Sequence, residues 1–143
     1  MTREYRLFWT AAGAPPGGIS ITADIPAAWT ETLDAMRSPR FDVPGLGGAL
    51  VAIAAIHAPG ASDAERVEWA FKQQFATPAE VTRAPREGGR LWAVHQPGGR
   101  LHARMFLPAP HDSVVMASAM TFAPVPASWL AELERVFDTV RAG

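Results

Sequence analysis

Between Arg90 and Phe122 three apolar segments, GRLWAVHQ, RLHARMFLP and SVVMASAMTF, follow one another with only tight turns between them. Short apolar runs bounded by turn residues read as strands, so this stretch predicts a three-stranded antiparallel meander around which the rest of the chain packs. The turn QPGGR fixes the pairing of the first two strands. It places Gln96 opposite Leu101, His95 opposite His102, Ala93 opposite Arg104 and Trp92 opposite Met105. One face then carries Trp92, Val94, Leu101, Ala103, Met105 and Leu107, the expected core face. The other carries Leu91, Ala93, His95, His102, Arg104 and Phe106.

The third strand has no polar side. Val114, Met116, Ser118, Met120 and Phe122 alternate with Val115, Ala117, Ala119 and Thr121. A sheet with one wet face would alternate apolar and polar residues, so both faces are expected to be covered. The fold class predicted is α+β: a mainly antiparallel sheet of about six to seven strands with helices on both faces, a three-layer α/β/α sandwich. The small residues Ala93, Ala117 and Ala119 would let a helix or a partner come close, and any part of that surface left bare is a candidate interface.

Elsewhere, REYRLFWT (Arg3 to Thr10) and the alternating ISITADIP (Ile19 to Pro26) predict a hairpin, with Ala11 to Gly18 as its loop. A short helix is expected over Ala27 to Met36, with Trp29, Leu33 and Met36 on one side. Arg37 to Gly48, with two prolines and three glycines in twelve residues, reads as an ordered surface loop anchored by Phe41. ALVAIAAIH (Ala49 to His57) is apolar on both faces and predicts a central strand. Ser62 and Glu65 form a capping box that opens a helix over Asp63 to Phe75, with Ala64, Val67, Ala70, Phe71 and Phe75 on the inward face and Trp69 pointing away. EVTRAPR (Glu80 to Arg86) predicts a strand. Pro126 to Arg141 predicts a second helix with Leu130, Leu133, Val136, Phe137 and Val140 as its stripe.

The 143 residues make one domain, residues 1–143. With 13 basic and 14 acidic side chains, no net field draws in nucleic acid or an acidic membrane surface. The absence of cysteine removes disulfides and thiolate metal sites. The longest apolar run is far short of the ~20 residues that span a bilayer, and the first residues lack the apolar stretch of a secretory signal, so the expected location is cytoplasmic.

Several constellations invite a chemical reading. His95 and His102, directly opposed, would have Cβ atoms ~5 Å apart, close enough to share a metal. Zinc needs three or four protein ligands, and no third falls beside them by spacing, so no metal, cofactor or catalytic residue is assigned. Arg83, Arg86, Arg90, Arg100 and Arg104 form either an anion-binding patch or a solvated sheet edge. Gly45, Gly47 and Gly48 run into a strand rather than a helix, which excludes a phosphate loop. Trp69, off its helix's apolar stripe, is the tryptophan expected at an interface.

Taken in order, ISITADIPAAW, ALVAIAAI, ERVEWAFKQQF, GRLWAVHQ, ARMFLP, SVVMASAMTF and LAELERVFDTVR resemble the PsbP-like superfamily, from about Glu4 to Arg141. That superfamily includes a Ran-binding nucleotide-release factor, DcrB-type bacterial proteins and the Eag chaperones of type VI secretion. The resemblance implies an α/β/α sandwich that binds other proteins, and it carries over no catalytic residue. The leading expectation is therefore a non-enzymatic protein-interaction module, a secretion-associated chaperone or adaptor. Its partner, another protein or a second copy of the chain, would contact Ala93, His95, His102, Arg104, Ala117 and Trp69. The alternatives are a small-molecule or lipid carrier, with a cavity between the sheet and the helix at residues 63–75, and a hydrolase or metal enzyme centred on the two histidines.

Overall fold

The computed structural model describes residues 1–11, 14–44 and 49–142, apart from the side chains of residues 10, 11 and 14–16. Its elements are β1 (Thr2–Ala11), β2 (Ala14–Asp24), β3 (Thr30–Leu33), β4 (Pro39–Asp42), β5 (Leu50–His57), α1 (Asp63–Gln74), β6 (Thr82–Pro85), β7 (Leu91–His95), β8 (Leu101–Ala109), β9 (Ser113–Thr121), α2 (Ala127–Asp138) and β10 (Arg141–Ala142). The strands form two sheets. Seven stand in the order β3-β4-β5-β9-β8-β7-β6, all antiparallel, and three in the order β1-β2-β10.

The meander forms with the pairing expected of it. Trp92 faces Met105, Ala93 faces Arg104 and His95 faces His102. Period-2 alternation then splits the interior into two cores separated by the large sheet. On one side Trp92, Leu101, Ala103, Met105, Val115, Ala117 and Ala119 pack with the inward residues of the first hairpin, Tyr5, Leu7, Trp9, Ile19 and Ile21, and with Trp129, Leu133 and Phe137 of α2. On the other side Leu91, Ala93, Phe106, Val114 and Met116 pack beneath Val67, Ala70 and Phe71 of α1.

This corrects the expected architecture. Both faces of the sheet are covered, but the chain is mostly strand, and its two helices are too few for an α/β/α sandwich. The cover opposite α1 is largely a second sheet, because the β1–β2 hairpin turns its alternate large residues inward and does the work assigned to a helix. Nor is there a helix at Ala27 to Met36. Thr30 and Thr32 favour extended backbone, and β3 pairs with β4 there, Thr30 opposite Asp42. The supposed stripe faces no common core, for Leu33 and Met36 are exposed while Trp29 packs on Phe41. Phe41 does anchor its segment, fully buried, but from a strand rather than a loop. The first loop is also shorter than expected, since β2 already includes Ala14 to Gly18. Gly17 sits opposite Trp9, and a Cβ there would collide with the indole. The glycine-rich reading at 45–48 lies outside the described residues.

Capping fixes where α1 starts. Ser62 Oγ accepts from the Glu65 amide at 3.2 Å, and Glu65 reaches back to accept from the Ala61 amide at 2.8 Å. Arg66 then ties the helix to the β8–β9 turn through Asp112 at 2.8 Å. At the far end of the chain Arg90 donates to the carbonyls of Phe137 and Val140, satisfying acceptors that the end of α2 leaves open.

Candidate binding face on the seven-stranded sheet

Antiparallel pairing aligns side chains in rows across the sheet. One row on the α1 face runs Arg40, Ala52, Ser118, Arg104, Ala93 and Arg83. The next runs Asp42, Leu50, Met120, His102 and His95. A third, with Met116, Phe106 and Leu91, lies under α1 and is buried.

One helix of twelve residues cannot roof seven strands. It packs chiefly over β8 and β9, with Phe71 edge-on to Phe106, centroids 6.2 Å apart, and the segment ends at Phe75. Beyond that end the first two rows are open. Leu50, Ala52, His102, Arg104, Ser118 and Met120 are all partly exposed. With Arg40 they line a recess of about 210 Å³.

Arg104 lies at the inner wall of this recess. Its guanidinium stands 5.7 Å from the Phe75 ring centroid. Burial lowers its pKa from the ordinary value, yet an arginine stays charged in any case. Among the described residues no carboxylate or other acceptor lies within hydrogen-bonding distance of it. The remaining arginines of the sequence cluster are engaged separately: Arg83 with Glu68, Arg86 with Glu134 at 2.9 Å, Arg90 at the end of α2, and Arg100 over Phe122. The cluster is thus not one patch. Arg90, Arg100 and Arg104 pair with no carboxylate among the described residues; Arg90 is taken up by backbone carbonyls and Arg100 is exposed, so Arg104 is the partly buried member left without an acceptor. Arg40, at the recess rim, reaches Asp34 only at 3.7 Å.

His102 and His95 do meet, ring centroids 6.5 Å apart. The pKa of His102 is lowered, first by burial and then by the charges of Arg104, His95 and Arg100, which keeps it neutral near pH 7. Glu80 lies 3.7 Å from His95 Nε2. Among the described residues no group of three His, Asp or Glu side chains converges to hold a metal.

The other expected contact residues are dispersed. Ala93 stands in the first row but at a point that α1 covers, where it is fully buried, and Ala117 faces the opposite core, so neither is offered on the open part of the face. Trp69 is partly buried and lines a second recess of about 400 Å³ with Trp9, Ala55, Ile56, His57, Gln73 and Gln74. The space directly between α1 and the sheet is filled by Phe71, Phe106, Leu91 and Ala93, and this recess opens at the flank, beside the last residues of β5. Sequence reasoning does not find Arg40, Leu50, Ala52, Ser118 and Met120 as site residues. Met120 and Ser118 were legible as one face of their strand, but which part of that face stays bare depends on where α1 ends over the sheet.

No helix is long and apolar enough to cross a membrane among the described residues. No family model matches the chain, and no curated protein or solved structure is significantly similar to it.

Proposed function

We propose that the chain is a non-enzymatic protein-interaction module, an adaptor or chaperone that takes an extended segment of another protein across the open rows of the large sheet. The observation that carries this reading is the uneven roof. Six adjacent side chains on one sheet face are left partly exposed, while their neighbours under α1 are buried. They stand on hydrogen-bonded strands, so the surface is preformed, which lowers the entropic cost of binding. The recess of about 210 Å³ is smaller than the ~300–1,000 Å³ of small-molecule sites, and suits one side chain of a larger partner. A chaperone or secretion role rests on the resemblance of sequence segments to the PsbP-like superfamily alone, and the α/β/α sandwich which that resemblance implies is not the fold of this chain.

Affinity capture from the source lysate with wild type, His102→Glu and Met120→Arg tests it, with Arg135→Glu on the exposed side of α2 as control. One dominant partner retained by the control and lost by both face variants is the expected result. A partner held equally by all four baits places binding elsewhere. Capture of nothing but further copies of the chain replaces the foreign partner with a homodimer.

A second reading is favoured by the Trp9–Trp69 recess, whose volume of about 400 Å³ falls within the small-molecule range. A small-molecule or lipid carrier would retain its cargo. Native mass spectrometry of freshly purified protein should then show an adduct that Trp69→Ala removes, and a spectrum of bare protein at every ionisation energy argues against it.

A further inference from the structure

Resting on the reading just given, we infer that the Arg104 recess anchors a carboxylate on the bound segment, an aspartate or glutamate side chain seated against Ser118 and within reach of Arg40. Three observations converge on this. The guanidinium is half-buried and has no acceptor among the described residues. A charged group taken partly out of water is stabilised chiefly by a hydrogen-bonded counter-charge, and the fold supplies none. Ser118, directly opposite Arg104, holds its hydroxyl only loosely, 3.5 Å from the Ala52 carbonyl, and can turn to donate to an incoming oxygen. The walls made by Leu50, Ala52 and Met120 are apolar, matching the methylene stem of an acidic side chain rather than a fully solvated ion.

The charges around the recess select the kind of anion. A planar guanidinium fork matches a carboxylate with two parallel hydrogen bonds. Asp34, beside Arg40, and Asp42, in the adjoining row, would repel a phosphate dianion more strongly than a singly charged carboxylate. The second recess sets a spacing. Ala52 lines the first recess and Ile56 the second, and four residues of β-strand span roughly 13 Å. A segment lying extended along β5 would therefore present its acidic residue to Arg104 and an apolar residue, about four positions away, to Trp9 and Trp69.

Selection from a display library of random dodecapeptides, run in parallel on wild type and Arg104→Gln, tests this. Wild type should enrich peptides with a fixed Asp or Glu about four positions from an aromatic or aliphatic residue, and the Arg104→Gln pool should lose the acidic position alone. Changing that acid to its amide in the best peptide should weaken binding to wild type about 10- to 100-fold. It should change binding to Arg104→Gln hardly at all, with Arg104→Lys between the two. Unchanged melting temperatures exclude a folding defect. Peptides that perturb the amide signals of His102 and Met120 but show no acidic preference, or show the same preference on Arg104→Gln, overturn the carboxylate anchor and leave the binding face standing. Enrichment of no peptide, or of peptides whose contacts lie away from that face, overturns both.

Discussion

Tyr5 shows how one polar atom at the edge of a core is held. Its ring packs edge-on to Phe41 at 6.3 Å, while its hydroxyl donates to Glu31, which also accepts from Arg3 at 2.9 Å. Burial first, and then the bond to Glu31, raises the phenol pKa to about 12. The folded state thus keeps a proton that the unfolded chain gives up near pH 10. Stability from this group is complete below pH 10 and is lost as pH climbs towards 12. Tyr5 is the only tyrosine, so the tyrosinate difference band reports it alone. The expected midpoint lies near 12, and Glu31→Gln should lower it. A midpoint near 10 in folded protein would show the phenol to be in free contact with water.

At the scale of elements, the capped start of α1 and its Phe71 contact separate into two measurable contributions. Ser62→Ala should cost about 1 kcal/mol in denaturant unfolding, whereas Phe71→Ala, which empties the ring from contact with Phe106, should cost about 3–5 kcal/mol. Equal losses would mean that the helix is held by its end rather than by its face. The same helix shows what could be read from sequence. Its capping box and apolar stripe are local patterns, as are the turn and alternation that set the β7–β8 register, and these form, except that Ala64, in the first turn of the stripe, lies exposed beyond the edge of the core. A contact that no local pattern shows is the ion pair of Glu134, on α2, with Arg86, forty-eight residues away. The segment at Ala27 to Met36 misled because its spacing of Trp29, Leu33 and Met36 satisfies a helix. Its partner, β4, is a strand whose pairing no local pattern announces. The open rows were half legible: the faces follow from alternation, but the roof over them is a tertiary fact.

For the molecule as a whole, the large sheet is a partition. Phe71 lies in the core on the α1 side and Leu133 in the core on the other. Layers packed on opposite faces of a sheet are about 20 Å apart, twice the ~10 Å layer spacing. Phe71→Leu and Leu133→Val should each cost about 1 kcal/mol, and the double variant should show their sum within ~0.5 kcal/mol. A coupling above ~1 kcal/mol would mean that the sheet transmits strain between the cores.

The smallest strand has a consequence in time. β10 pairs Arg141 with Thr22 and Ala142 with Ile21, and the Asp24 amide donates to Thr139 Oγ1 at 2.9 Å. These contacts join segments more than a hundred residues apart, the kind of closure that slows folding. A chain emerging from the ribosome makes its first hairpin early, with Tyr5, Leu7, Ile19 and Ile21 ready to be covered. The strand and helix that seal it come last. Until residue 142 has cleared the exit tunnel, the nascent chain carries an unfinished apolar hairpin that holding factors on the ribosome can grip.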